Sequence, residues 1–372
     1  MERLSILVIG AGIGGLTAAI ALRARGHSVD IIERDPTWSV YGVGIIQQGN
    51  VVRAMSALGL IDDYLEAGFG FDHVEVFLPT GQSIVKVPSP RLVADKPANV
   101  GIGRRALHKV LGDRAIAAGA DIRLGVTADR FEDKGGTVTV RFSDGTSGSY
   151  DLVIGADGLY SQTRRAIFPE TPLPEFTGQS VWRYNFPRTP DVTGLHAYEG
   201  PTGVGLVPLS RDLMYMYVTT PEPENVRYQR DGMAATMRSK LANVPAPAIR
   251  ALAGQIRNDD DVVYKPLEWL FLTGDWHKGR VVLLGDAVHA TTPHLGQGAG
   301  MAIEDAIVLS EELDRPGSLD SQLKAYRDRR FERCRYIVEA SRAICLGQLG
   351  QGPLVENARA TREMFAKVAK PI

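Results

Sequence analysis

Apolar residues fall into unbroken short runs in some stretches of the chain and into alternating or helical spacing in others. Leu4 to Ile9 is an unbroken run of strand length. A turn carrying Gly10, Gly12, Gly14 and Gly15 follows, then an alanine-rich segment with helical spacing to about Arg25. A second apolar strand, Ser28 to Ile32, ends at Glu33. Continuous apolar strands of this kind suit a sheet covered on both faces. The style returns at Asp151 to Asp157 and again at Arg280 to Leu284, which runs into Gly285-Asp286.

Between these runs the pattern is more varied. Val51 to Leu65 has helical spacing, with Val52, Met55, Leu58 and Leu65 on its apolar positions. Val74 to Leu78 and Gln82 to Val87 predict a hairpin turning at Pro79-Thr80-Gly81, and proline-rich 88–97 predicts a loop. Arg104 to Ala118 predicts a helix, and Asp121 to Val126, Gly136 to Phe142 and Ser147 to Tyr150 predict strands. From Pro169 prolines punctuate short strands such as Ser180 to Phe186 and Leu213 to Thr219, so this region to about Leu272 reads as a largely antiparallel sheet. Met301 to Leu313 and Ser321 to about Leu346 predict helices.

The opening stretch has a chemical meaning as well as a structural one. Gly10-x-Gly12-x-x-Gly15 sits between a strand and a helix, with a second strand and an acid following. That is the context in which the motif binds a dinucleotide. Gly10 serves the tight turn, Gly12 admits a pyrophosphate, and Gly15 lets helix and strand approach closely. Glu33 is placed to accept hydrogen bonds from a ribose. The expected fold is α/β: a Rossmann-like domain built from 1–71, 99–174 and 276–372 with C-terminal helices. A mainly antiparallel sheet from 72–98 and 175–275 is inserted into it.

Composition narrows the function. The chain has 372 residues, 44% hydrophobic and 23% charged, as in a water-soluble globular protein. Lysine and arginine number 42 against 43 acids, and no basic run stands out, which argues against a nucleic-acid partner. Ser5 to Leu22 carries no charge, but its four glycines belong to the dinucleotide turn, so no membrane span is expected. Cys334 and Cys345 form neither a disulfide framework nor a metal cluster, which fits a reducing cytoplasm.

Three motifs stand in order: Gly10-x-Gly12-x-x-Gly15 with Glu33, then Asp157-Gly158 in DLVIGADGLYSQTR, then Gly285-Asp286 in RVVLLGDAVHATTPHLGQGAG. Together they resemble the single-component, para-hydroxybenzoate hydroxylase-like family of FAD-dependent aromatic hydroxylases. Gly42-Val43-Gly44-Ile45 and Arg104-x-x-Leu107 agree with similar segments of that family. The resemblance implies non-covalent FAD, held by Gly10, Gly12, Gly14, Gly15, Glu33, Arg34, Gly44, Arg104, Gly285 and Asp286. Asp286 would face the ribityl chain; its alternative role is a helix N-cap. Pro293, Gly296, Gly298 and Ala299 would pass the flavin ring, and backbone amides there would offset negative charge. Asp157 and Arg164 match a segment shared by FAD and NADPH, although Arg164 reads equally well as a surface cation.

The implied reaction is hydroxylation of a small aromatic or heteroaromatic substrate by a monooxygenase. NAD(P)H, bound transiently, would reduce FAD. Dioxygen would add at the flavin C4a carbon, and the hydroperoxide would deliver one oxygen atom. A reductase, a halogenase or a non-catalytic flavin protein on the same scaffold are the alternatives; the halogenase tryptophan motif is missing at Val181 to Pro187. His289 reads as structural. His73, Tyr184, His196, Tyr215 and Tyr217 remain open as bases or core residues, and Trp182-Arg183 matches a pair whose role varies across the family. The expected oligomer is a monomer or homodimer.

Overall fold

The computed structural model describes residues 3–372. Six strands form the first sheet, in the order His277–Lys278, Val281–Leu283, Leu152–Gly155, Ser5–Ile9, Ser28–Glu33, Asp121–Leu124. All neighbours run parallel except the two-residue edge strand, which pairs antiparallel with Val281–Leu283. Its central strands are almost fully buried, which is why they read as unbroken apolar runs. The Ile13–Ala24 helix crosses one face and packs against the Gly298–Leu313 helix.

This sheet explains how distant motifs meet. The glycine turn, Asp157-Gly158 and Gly285-Asp286 follow the carboxyl ends of three adjacent parallel strands. Loops leaving that edge of an open α/β sheet share one crevice.

A seven-stranded sheet lies beside it, in the order Val263–Trp269, Glu175–Pro187, Leu213–Pro221, Gly203–Pro208, Leu195–Tyr198, His73–Phe77, Ser83–Pro88. The expected hairpin is present and joins this sheet through a parallel pairing of His73–Phe77 with Leu195–Tyr198. Its residues alternate between two faces. Trp182, Phe186, Met214, Met216 and Val218 are buried on one, in a core shared with Met237 and Ile249. Those two belong to helices Met233–Leu241 and Pro247–Ala253, which the expected reading of this region as a largely antiparallel sheet did not include.

Other boundaries also differ. Val51 to Leu65 is not one helix but two, Gly49–Ala57 and Ile61–Glu66, separated at Gly59, whose φ is 68°. Short strands Gly44–Gln47, Gly68–Phe71 and Asn99–Gly103 form a small antiparallel sheet. Their glycine content hid them. Ala128–Asp133 adds a third strand to the Val138–Phe142 and Ser147–Tyr150 pair; it is mostly exposed and so lacks apolar alternation. A helix at Asn357–Ala369 completes the chain's helical end. No helix among the described residues is long and apolar enough to cross a membrane.

Candidate active site

A cavity of about 720 Å³ runs between the parallel sheet's carboxyl edge and the seven-stranded sheet. Twelve of the sixteen expected site residues line it: Gly12, Gly14, Glu33, Arg34, Gly44, Arg104, Gly285, Asp286, Pro293, Gly296, Gly298 and Ala299. Gly10 and Gly15 lie just behind. A Cβ at position 15 would fall 1.9 Å from the Gly10 carbonyl oxygen, so the close approach admits only glycine.

At one end, the first-turn amides of the Ile13–Ala24 helix have no intrahelical partner, and no side chain caps them. Glu33 Oε2 accepts from the Ala11 amide at 2.9 Å, and Oε1 accepts from Asp35 at 3.0 Å. Each oxygen keeps a further lone pair for a ribose hydroxyl. The Ala11 carbonyl accepts from Trp38 Nε1 at 3.1 Å and from His108 Nε2 at 2.9 Å, fixing the turn, and both rings line the cavity. Sequence reasoning missed both residues. His108 had a signal, since it lies four residues after Arg104 on one helix and therefore on the same face.

In the middle, Asp286 opens the four-residue Asp286–His289 helix, and its side chain is exposed to the cavity. A buried network holds this turn. Asp305 Oδ2 accepts from the Gly285 amide at 2.9 Å and from His289 Nε2 at 2.6 Å, while Oδ1 accepts from Arg330 Nε at 2.8 Å. Arg330 also pairs with Glu304 at 2.7 Å. Glu304 accepts from Asn50, which bonds Gln297; Gln297 in turn bonds Gln48, and Gln48 Nε2 reaches the Leu295 carbonyl at 3.1 Å. The network therefore ties Gly285 to the loop at Gly296.

Burial would lower the His289 pKa, but the Asp305 carboxylate outweighs it and raises it. Burial would likewise raise Asp305, and the His289 and Arg330 charges hold it down. His289 is thus structural, as expected. Ligand atoms of His289, Asp305 and Cys334 lie within 4.8 Å of one another, but Arg330 already supplies the cation there.

Two further expected residues lie outside the cavity lining. Asp157 does not face the cavity: it accepts from Ser161 Oγ, and from the Thr163 amide and hydroxyl at 2.9 Å each, so it shapes the start of the Gln162–Ile167 helix. Arg164 is 1% exposed, so it is not a surface cation, and it does not line the cavity. Its guanidinium donates to the carbonyls of Ala287 at 3.0 Å and Leu159 at 2.8 Å, bracing the loop after Asp286.

The seven-stranded sheet supplies the opposite wall. Register places Arg183 directly across from Tyr217, and Val181 between Lys265 and Thr219. All five line the cavity, with Tyr215. Of the residues left open, Tyr184 and His196 point to the other face and His73 does not reach the cavity. Arg104, Arg183 and Lys265 make no side-chain hydrogen bond or ion pair among the described residues. Burial lowers the pKa of each. Tyr215 partly offsets this at Arg183, which falls to about 10, and Asp286 partly offsets it at Lys265. Lys265 was invisible in sequence, because nothing there shows which strand pairs beside Val181.

An elongated cleft with free helix amides, an open carboxylate beyond the second strand and an aspartate at midpoint fits FAD. The sequence matches the FAD binding domain family over residues 3–341. It is 32% identical over 368 residues to an aurachin C monooxygenase/isomerase of Stigmatella aurantiaca, covering 94% of this chain and 90% of that protein. It is 31% identical over 358 residues to a FAD-dependent urate hydroxylase of Mycolicibacterium vanbaalenii, covering 92% and 88%. The fold matches the crystal structure of Klebsiella pneumoniae HpxO complexed with FAD and uric acid with a TM-score of 0.84 and 26% identity, over 98% of this chain and 92% of that one. With its three strand-end motifs around one cleft, this chain belongs to the family of FAD-dependent monooxygenases that hydroxylate aromatic rings.

Proposed function

We propose that this monooxygenase acts on a small aromatic or heteroaromatic ring carrying an anionic or readily ionised group. The observation that carries this reading is the pair Arg183 and Lys265, which face the cavity from the substrate-side wall without a side-chain ion pair among the described residues, Asp286 acting on Lys265 only from a distance. Unpaired cations in a desolvated site are costly, and an anionic substrate removes that cost. The urate hydroxylase among its relatives acts on such a ring by its name.

FAD, reduced by NAD(P)H, supplies the activation of dioxygen when bound. The chain's residues do the rest. Gly12, Gly14 and the helix amides would hold the pyrophosphate, Glu33 and Arg34 the adenosine ribose end, and Asp286 the ribityl hydroxyls. Arg104, close to Asp286 and Tyr215, would serve the flavin side. Pro293 and Gly296 fix the loop, and Gly298 and Ala299 begin a 16-residue helix whose N-terminal amides favour negative charge nearby. Arg183 and Lys265 would orient the substrate, while Tyr215 and Tyr217, both raised in pKa by burial, stay protonated and donate hydrogen bonds. Two buried free cysteines suit a cytoplasmic setting.

The test is a screen of aromatic and heteroaromatic acids for NAD(P)H oxidation, followed by product analysis under labelled dioxygen. A product carrying one labelled oxygen is expected. Arg183→Leu should raise KM about ten- to a hundredfold through a lost charged hydrogen bond, with FAD occupancy unchanged. Turnover without label would favour a reductase instead.

A further inference from the structure

Part of the cavity wall lies beyond the segment that matches the family. Ile344 and Gln348 from the long Leu319–Gln348 helix, and Met364 and Phe365 from Asn357–Ala369, all follow residue 341. Asn357 and Thr361 of the second helix line it as well, but of these six only Gln348 is tied by side-chain hydrogen bonds to the sheet and to the flavin loop among the described residues.

Its hydrogen bonds are unusual in their direction. Gln179 Nε2 donates to Gln348 Oε1 at 2.8 Å. Thr219 Oγ1 shares its one proton between the same oxygen at 3.2 Å and the Gly203 carbonyl at 3.3 Å, and His294 Nε2 lies 3.2 Å from Gln348 Oε1. Gln179 is itself oriented by the Cys345 thiol, which donates to Gln179 Oε1 at 3.4 Å. His294 Nδ1 meets Thr292 Oγ1 at 2.9 Å; because the Gln348 oxygen can only accept, the matching tautomer carries Nε2–H and takes the Thr292 hydroxyl proton at Nδ1. Donors converging on that amide oxygen from Gln179, Thr219 and His294 turn the other end of the amide outward. Gln348 Nε2 then has two N–H groups and no protein partner among the described residues, beside Gly203 on the cavity wall. A side chain at 203 would collide with Thr219 and Gln348, so the glycine leaves that space open.

We propose that Gln348 is a specificity-determining residue that selects rings presenting a hydrogen-bond acceptor, such as a ring nitrogen or carbonyl, on the edge away from the anionic group. The assignment rests on the anionic-aromatic reading above: Arg183 and Lys265 take the negative group, and Gln348 reads a second feature. The site is held by the flavin loop through His294, by the sheet through Thr219 and Gln179, and by the helix end itself. Its donors are therefore fixed in place before substrate arrives. A buried donor that meets a C–H or another donor is left unpaired, and that difference produces discrimination.

The experiment titrates the FAD-loaded enzyme with five matched carboxylates and follows the visible flavin spectrum. Nicotinate and isonicotinate carry a ring acceptor, benzoate carries a C–H there, and 3- and 4-aminobenzoate carry a donor. At least one pyridine acid is expected to bind about three- to tenfold more tightly than benzoate, with the aminobenzoates weakest. Gln348→Leu should abolish that preference, and Gln348→Glu, which offers only acceptors, should reverse it toward the aminobenzoates. A merely structural role would weaken all five together and leave their ratios unchanged, which would overturn the proposal. So would wild-type enzyme that ranks the aminobenzoates first, since the amide would then face the cavity with its oxygen. Equal binding of all five in wild type overturns the role of Gln348 while leaving the anionic reading in place. Failure of any carboxylate to bind overturns that reading, and this proposal with it. If the leucine variant does not fold, the ratios in the glutamate variant decide.

Discussion

The two walls of the cavity are built on opposite principles. The cofactor-side wall is backbone: glycines, helix amides and strand-end turns, with ionised side chains buried behind it. Asp305 and Arg330 are both 0% exposed and work by holding Gly285 and its loop in place. The sheet-side wall is made of side chains that alternate off strands, with Arg183, Lys265, Tyr215 and Tyr217 facing inward. The first wall satisfies the charges buried behind it internally and opens Glu33, Arg104 and Asp286 to the cleft; the second leaves its donors open. A fixed cofactor is served by rigid backbone, whereas choice among substrates needs exchangeable side chains.

The strongest way to break this contrast is to unpair the buried charges. Arg330→Met leaves Asp305 buried with only His289 and Glu304 with only Arg333 as a cationic partner, and should cost about 3–5 kcal/mol of stability. Denaturant unfolding measures it. A loss below about 1 kcal/mol would mean that the network does not brace the cofactor wall.

Asp286→Ala sharpens the same contrast from inside the cavity. Asp286 is exposed there and makes no side-chain hydrogen bond among the described residues, so its removal should spare the fold. FAD binding should weaken by about 1.5–3 kcal/mol, roughly ten- to a hundredfold in Kd. Unchanged FAD affinity in a titration would remove Asp286 from the cofactor site.

The smallest effect lies where the walls meet. Burial pushes the His294 pKa down to about 4, and the bond to Gln348 offsets this only in part. Its ordinary value is 6.5, so between about pH 6.5 and 4 the unfolded chain binds a proton that the native chain does not. Stability is therefore full above this window and falls as pH drops through it. His27 and His196, also lowered by burial, act in the same direction. His289, raised by Asp305, acts oppositely, stabilising below its ordinary value and losing that contribution as pH rises. His294→Gln should make the acid limb of Tm against pH shallower. Parallel limbs in variant and wild type would show that His294 does not carry this term.

Much of the cofactor wall was legible in the chain itself. Glycine turns, buried strands and a following acid are local features, and each leaves a mark within about 30 residues. The parallel strands were visible because burial on both faces leaves no polar alternation to disguise them. Asp157 and Arg164 were assigned to the cofactor from motif position alone. Their side chains bond within the protein instead, Asp157 to Ser161 and Thr163 at a helix start and Arg164 to backbone carbonyls.

The substrate wall was legible only in part. Alternation along Ser180 to Phe186 and Leu213 to Thr219 announced strands, but a period of two does not say which face meets a cavity. Tyr215 and Tyr217 faced in, and Tyr184 faced out. Lys265, His294 and Gln348 came together from a sheet-edge strand, a loop and a helix end, with 83 positions between the first and the last. The sequence by itself determined the fold class, the glycine turn and the three strand-end motifs, because those depend on local sterics and on burial. Tertiary structure alone decided which donors were left without partners, because hydrogen-bond satisfaction depends on neighbours far along the chain.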